Sequence, residues 1–157
     1  MGASGGLAGP GADRRGGPVT TALPALRFLR VLLVEDHADH VFLVRRALGG
    51  MPGVAVTLEV AGDGEQATQR LAQARFDPAG PPQLVLLDLK MPRMDGLEVL
   101  RRIRADEATR RLPVVVLTSS ERPEDREEAL RQGATWFVCK PTDGRRFRSE
   151  LQQLGDH

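Results

Sequence analysis

Short apolar runs alternate with helical patterns five times along this chain, and this alternation restricts its fold more than any other feature. The continuously apolar runs, such as VLLV and VVVL, are typical of strands that are buried on both faces. Strands that alternate with helices predict a parallel sheet with helices packed on both of its sides. The five runs are Phe28–Val34, Val54–Val60, Leu84–Leu87, Val114–Leu117 and Trp136–Cys139.

The segments between the runs have helical spacing. Val41, Val44 and Leu48 share one helical face after the first run, and a fifth helix is expected over Asp143–Leu154. The expected fold class is therefore α/β, a flavodoxin-like doubly wound sheet. It has five parallel strands in the order 2-1-3-4-5 and five helices.

The chain is long enough for one domain, and its first part differs in composition from the rest. Residues 1–26 are rich in Gly and Pro and are expected to form a disordered tail, whereas residues 27–157 form the folded domain. Nothing is expected to follow the fifth helix as an output domain.

The net charge of +1 favours neither nucleic acid nor an anionic membrane, and the lone Cys139 fits a reducing compartment. A cytoplasmic protein is expected.

Five charged or hydroxyl side chains stand where four of the expected strands end. Glu35 and Asp36 follow the first strand, Asp88 the third, Thr118 the fourth and Lys140 the fifth. In an open parallel sheet, ligands bind at the carboxyl ends of the strands, so these side chains should lie together. Carboxylates that are close together repel each other, and a hard cation such as Mg²⁺ relieves that repulsion.

The chemistry that these residues favour is phosphoryl transfer. An aspartate beside Mg²⁺ can act as a nucleophile toward a phosphoryl group, and the reaction then depends mainly on positioning and charge neutralisation. Lys140 supplies positive charge, and the Thr118 hydroxyl can bond a phosphoryl oxygen. Lys90 and Lys140 are the only lysines among 22 basic residues, which indicates that a compact ammonium is needed at position 140.

The segments VLLVEDHADH, LLDLKMPRMDGLEVL, VVVLTSS and FVCKP resemble the receiver domain of bacterial response regulators, over residues 27–155. The resemblance implies that Asp88 is the phosphoacceptor. It also implies a Mg²⁺ site made by Glu35, Asp36, Asp88 and the backbone carbonyl of Lys90, with Asp36 a more direct ligand than Glu35.

The same resemblance assigns roles at the last two strands. Thr118 and Lys140 would contact the phosphoryl group, and Phe137 matches the aromatic switch that turns inward, together with Thr118, on activation. The peptide bond between Lys140 and Pro141 resembles the cis bond of the family.

The function implied is that of a single-domain response regulator, which accepts its phosphoryl group from a sensor histidine kinase. An intermediate carrier in a phosphorelay is the alternative. The chain would not be an enzyme beyond its own phosphorylation and dephosphorylation, and it would signal through protein contact without binding DNA or membrane.

The ED-H-x-x-D pattern, the LTSS run and the Pro-rich loop at 76–83 resemble regulators paired with bacterial phytochrome kinases. A homodimer is expected through helix 4, strand 5 and helix 5, with Trp136 as an apolar anchor.

Other functions on this fold fit the residues less well. A flavin carrier needs a neutral phosphate loop where this chain has EDHAD, and a Mg²⁺-dependent phosphatase needs an acid where Lys90 stands. A degenerate receiver that serves only for docking would not need the complete set of five residues. His37, His40 and His157 lack a metal-ligand spacing supported by other donors, so they are expected at the surface.

Overall fold

A computed structural model describes residues 27–91, 94–119, 122–140 and 149–150. The expected tail over 1–26, the Lys140–Pro141 bond and most of the expected fifth helix lie outside these residues, although Ser149 and Glu150 are helical. The elements are β1 (Arg27–Val34), α1 (Ala38–Gly49), β2 (Val54–Ala61), α2 (Gly64–Ala74), β3 (Leu84–Asp88), α3 (Gly96–Ala105), β4 (Val114–Thr118), α4 (Pro123–Arg131) and β5 (Trp136–Cys139).

The five strands form one parallel sheet in the order β2-β1-β3-β4-β5, which confirms the predicted fold class. Of the five expected helices, four lie within the described part of the chain. The register brings the carboxyl ends of the strands to one edge: Val34 pairs with Leu87, and Asp88 pairs with Leu117. The residues that follow β1 and β3 therefore meet where the strand order reverses.

The core has two layers, one on each face of the sheet. Successive residues of β1 alternate between them, because side chains of a strand point to opposite faces: Leu32 packs in one layer and Leu33 in the other. The first layer includes Leu71 of α2 and Leu100 of α3, and the second includes Leu48 of α1. Burial on both faces explains why β3 and β4 and the second half of β1 have continuous apolar runs.

Two helices begin at aspartates that cap them. The Asp63 side chain accepts a hydrogen bond from the backbone N–H of Gln66 at 2.8 Å, and Asp95 accepts one from Glu98 at 2.9 Å. Caps of this kind contribute about 1 kcal/mol each.

Within the described ranges, every helix is too short or too polar to cross a bilayer.

Candidate functional site

Asp88 is the last residue of β3, and it is buried although it carries a carboxylate. Its exposed fraction is 3%, and its Oδ1 accepts a hydrogen bond from the backbone N–H of Lys90 at 3.2 Å. The carboxylate lies at the edge where β1, β3 and β4 end. The fold thus places the predicted phosphoacceptor at the switch point of the sheet.

The acidic pair that follows β1 is divided between the interior and the surface. The backbone N–H of Glu35 donates to the carbonyl oxygen of Ala61 at 3.0 Å, which continues the β1–β2 pairing and buries Glu35 to 1% exposure. Asp36 is exposed. Donor atoms from Glu35, Asp36, His37 and Asp88 all lie within 4.8 Å of one another, so one cation could be held among them.

Lys140 joins the two buried carboxylates. Its backbone N–H donates to the carbonyl oxygen of Thr118 at 2.6 Å, which fixes the start of the side chain beside β4. Its Nζ lies 2.7 Å from Glu35 Oε1 and 3.2 Å from Asp88 Oδ2. A lysine can serve both carboxylates because its ammonium is a compact charge.

The carboxyl groups of Glu35 and Asp88 have pKa values shifted in opposite directions. Burial raises the pKa of Asp88, and the charge of Glu35 adds to this, while Lys140 opposes it only in part. Burial also acts to raise the pKa of Glu35, but the hydrogen bond and charge of Lys140, with the backbone N–H of His37, lower it overall. Lys140 therefore stabilises the ionised Glu35 more than the ionised Asp88.

His40 is a member of this site that the sequence reasoning missed. Its Nδ1 lies 2.8 Å from Lys140 Nζ and 3.4 Å from Glu35 Oε2, and its side chain is 36% exposed. His40 is therefore partly exposed and also takes part in the site, whereas His37 is exposed as expected. A contact between residues 40 and 140 has no local signal in the sequence. A helical wheel could have placed His40 on the side of α1 that faces the carboxyl ends.

The two switch candidates lie close to the site, on adjacent strands. Thr118 ends β4 and is 2% exposed, and Phe137 pairs with Val116 in the middle of β5. Phe137 is 8% exposed and belongs to the same core layer as Ala129 of α4. Its ring is therefore packed inward in this structure.

Trp136 lies on the other face of β5 and is 43% exposed. The guanidinium of Arg126 in α4 lies over its ring, 5.8 Å from the centroid. Trp136 and Phe137 therefore lie on opposite faces of β5, and the α4–β5 surface presents a large aromatic side chain.

The donor set fits a hard divalent cation. Its ligand atoms are mainly carboxylate oxygens, the type that such ions prefer. Glu35 Oε1 is buried and lies 2.7 Å from the Lys140 ammonium, which also lies 3.2 Å from Asp88 Oδ2. Three clustered carboxylates beside one ammonium leave the site with excess negative charge that a cation would neutralise.

Comparison with known proteins identifies the family. The model of the response regulator receiver domain matches residues 31–152. This chain belongs to that family. A receiver domain is a signalling module and not a conventional enzyme, it takes its phosphoryl group from a histidine kinase, and its acidic pocket binds a divalent metal.

Curated relatives share the receiver region at moderate identity. The chain is 41% identical to the two-component response regulator ORR41 of Oryza sativa over 117 residues, with 74% of this chain and 87% of that protein covered. It is 32% identical to the probable methanogenesis regulatory protein FilR2 of Methanothrix harundinacea, with 81% of each covered. It is 36% identical to the gliding motility regulatory protein of Myxococcus xanthus over 125 residues, covering 78% of this chain but spanning only 14% of that protein.

Solved structures with the same fold include phytochrome response regulators. The bacteriophytochrome response regulator AtBRR is 37% identical with a TM-score of 0.68, covering 82% of this chain and 94% of that one. The phosphorylated cyanobacterial phytochrome response regulator RcpA is 29% identical with a TM-score of 0.71, covering 81% of this chain and 91% of that one. The Mn²⁺-bound response regulator Rcp1 is 31% identical with a TM-score of 0.68, covering 80% of this chain and 91% of that one.

Proposed function

We propose that this receiver accepts a phosphoryl group on Asp88 and that the reaction requires Mg²⁺. The Mg²⁺ ligands in this proposal are the carboxylates of Glu35, Asp36 and Asp88 and the backbone carbonyl of Lys90. The observation that carries the proposal is the position of Asp88. It is a buried carboxylate at the switch point, 3.2 Å from the Lys140 ammonium and within 4.8 Å of the other acids.

The chain's own residues would perform the transfer by positioning. An Asp88 oxygen attacks the phosphorus of a phosphohistidine, the new O–P bond forms, and the P–N bond breaks as the imidazole leaves. Bound Mg²⁺ would supply charge neutralisation for the phosphoryl oxygens. The Lys140 ammonium, already between Glu35 and Asp88, would pair with the phosphoryl group, and the Thr118 hydroxyl would donate a hydrogen bond to it.

The signal would leave through the surface that β5 shares with α4 and the fifth helix. Movement of Thr118 toward the phosphoryl group would bias the packing of Phe137, which lies one strand away in the same layer as α4. Trp136 stands on the outside of that strand, where a large apolar side chain can anchor a partner. The proposed partner is a second copy of this chain, and the output is protein contact without DNA binding.

The proposed phosphoryl donor is a bacteriophytochrome kinase. The phytochrome response regulator RcpA and the bacteriophytochrome response regulator AtBRR share the fold and are 29% and 37% identical to this chain. Such a kinase draws on ATP, so a cytoplasmic location belongs to the proposal, and the lone Cys139 is compatible with a reducing compartment.

Phosphotransfer from a labelled kinase tests this function. An autophosphorylated bacteriophytochrome kinase is mixed with wild type, Asp88→Asn and Asp77→Asn in the presence of Mg²⁺. Asp77 is a matched control, because it is an exposed aspartate in the loop before β3, away from the carboxyl ends. Label should move to wild type and Asp77→Asn and not to Asp88→Asn. Label on Asp88→Asn would place the acceptor elsewhere.

A further inference from the structure

Three donor side chains, one carboxylate and two imidazoles, converge beside the proposed phosphorylation site. Glu35 Oε2 lies 3.4 Å from Nδ1 of His37 and 3.4 Å from Nδ1 of His40. The two imidazole rings are 4.9 Å apart between centroids, and one donor atom from each of the three residues falls within 4.8 Å of the others. Neither histidine has a part in the phosphoryl chemistry described above.

The separations match the ligand spacing of zinc. Zn²⁺ binds imidazole nitrogen and carboxylate oxygen at about 2.0–2.2 Å in tetrahedral geometry, which places neighbouring ligands about 3.4 Å apart. Both distances from Glu35 Oε2 have this value. Mg²⁺ favours oxygen ligands in a near-ideal octahedron, so a site with two imidazoles selects a different ion.

Two further observations show which partners a metal would join or displace. Glu35 is 1% exposed, and its carboxylate is held by the Lys140 ammonium, 2.7 Å from Oε1, and by the backbone N–H of His37, which donates to Oε2 at 3.1 Å. His40 Nδ1 lies 2.8 Å from the Lys140 ammonium, which can only donate, so Nδ1 carries a lone pair that a metal would take over by displacing Lys140. A nitrogen lone pair is the form of imidazole that binds a metal.

We propose that Glu35, His37 and His40 form a second metal site, which takes Zn²⁺ and holds the receiver in a state that cannot be phosphorylated. The fourth zinc position is open to water or to Asp36, whose Oδ1 lies 3.2 Å from His37 Nδ1. The third donor, Glu35, stands two residues before His37, just after the end of β1.

The inhibition follows from the residues that the two sites share, and this part rests on the proposed function. Zn²⁺ would bind the carboxylate of Glu35, which is also a ligand in the proposed Mg²⁺ site. It would also repel the Lys140 ammonium from His40, and Lys140 is the residue that contacts Asp88. Zinc should therefore lower the affinity for Mg²⁺ and so oppose phosphorylation. By linkage, Mg²⁺ should lower the affinity for zinc by the same factor as zinc lowers the affinity for Mg²⁺.

Calorimetric titration of the full, tag-free chain with Zn²⁺ tests the site directly. Wild type should bind one equivalent. His37→Gln and His40→Gln should each weaken binding at least about tenfold, and the double variant should lose the equivalent. His157→Gln, the third histidine of the chain, should bind like wild type. Equal zinc affinity in wild type and the double variant would overturn the site.

The coupling is tested by the rate of phosphorylation by acetyl phosphate with Mg²⁺ present, with and without one equivalent of Zn²⁺. Each variant is compared with its own zinc-free rate, because His40 contacts Lys140. Zinc should slow wild type and His157→Gln strongly and leave the double variant's rate nearly unchanged. If zinc binds at the histidines but does not slow wild type, the inhibitory role is overturned. If no chain is phosphorylated with Mg²⁺ alone, the proposed function fails, while the titration still decides whether the zinc site exists.

Discussion

The first helical residue of α3, Gly96, lies against the backbone of the strand end that carries Asp88. Its N–H donates to the carbonyl oxygen of Leu89 at 2.9 Å. A Cβ at this position would lie 2.6 Å from Leu89 Cα and closer still to the carbonyl oxygen of Asp88. The first distance is about 1 Å shorter than a favourable carbon–carbon contact. The clashing atoms are backbone, so the helix and the strand end must separate.

We therefore expect Gly96→Ala to destabilise the fold and to slow phosphorylation. Overpacking typically costs about 1–3 kcal/mol, and a rigid backbone neighbour favours the upper part of that range. The better helix propensity of alanine returns at most about 1 kcal/mol. A net loss of about 2 kcal/mol should appear as a lower urea midpoint with an unchanged slope.

Gly49→Ala is the matched control for this substitution. Gly49 is the last residue of α1, and a Cβ there would meet no atom within 4 Å. Its stability should be unchanged or higher by up to about 1 kcal/mol. Equal urea midpoints for Gly96→Ala and wild type would refute the close packing of α3 on the Asp88 strand end, and with it the geometry assigned to the acceptor.

Three further predictions concern the site and its output. Lys140→Arg should leave the fold intact but slow phosphorylation at least about tenfold, because a planar guanidinium does not fit where one ammonium serves Glu35 and Asp88; a wild-type rate would show that charge alone suffices. Thr118→Val should still accept a phosphoryl group but lose the phosphorylation-dependent shift in association, which sedimentation would detect as identical profiles with and without phosphorylation. Trp136→Ala should weaken the dimer by about 2 kcal/mol or more, as expected for an aromatic anchor; an unchanged association constant would remove Trp136 from the interface.

The central strands β3 and β4 were predictable from sequence because burial on both faces leaves an unbroken apolar run. The predicted Leu84–Leu87 run is β3 with Asp88 added, and β5 has the predicted bounds. α4 begins at Pro123, a residue that suits the first helical position. The strand order was also predictable, since the switch point needs the first and third strands to be neighbours.

The site was predictable only as far as strand ends determine it. Each acidic or basic residue that follows a strand reaches the same edge, so Asp88 and Lys140 could be brought together by topology alone. The position of His40 depends on how α1 packs on the sheet, and the 2.8 Å contact with Lys140 joins residues far apart in sequence. The role of His40 therefore follows from the packing of the helix and not from the residues beside it in sequence.

The opposite pKa shifts of the two buried carboxylates, Glu35 and Asp88, could not be predicted from the sequence. The sequence places Glu35 and Asp88 beside one lysine but does not show which is more strongly stabilised in its ionised form. The distances of 2.7 Å and 3.2 Å from Lys140 Nζ, with the backbone N–H of His37 on Glu35, decide this. The pKa of Glu35 is lowered, and the pKa of Asp88 is raised.

The most direct test of the central claim is the intact mass of the chain after incubation with acetyl phosphate, with and without Mg²⁺. Wild type and Asp77→Asn should gain the mass of one phosphoryl group when Mg²⁺ is present and none when a chelator removes it. Asp88→Asn should gain nothing under either condition. A gain that survives Asp88→Asn, or one that is the same with chelator, would contradict the assignment of Asp88 as a Mg²⁺-dependent phosphoacceptor.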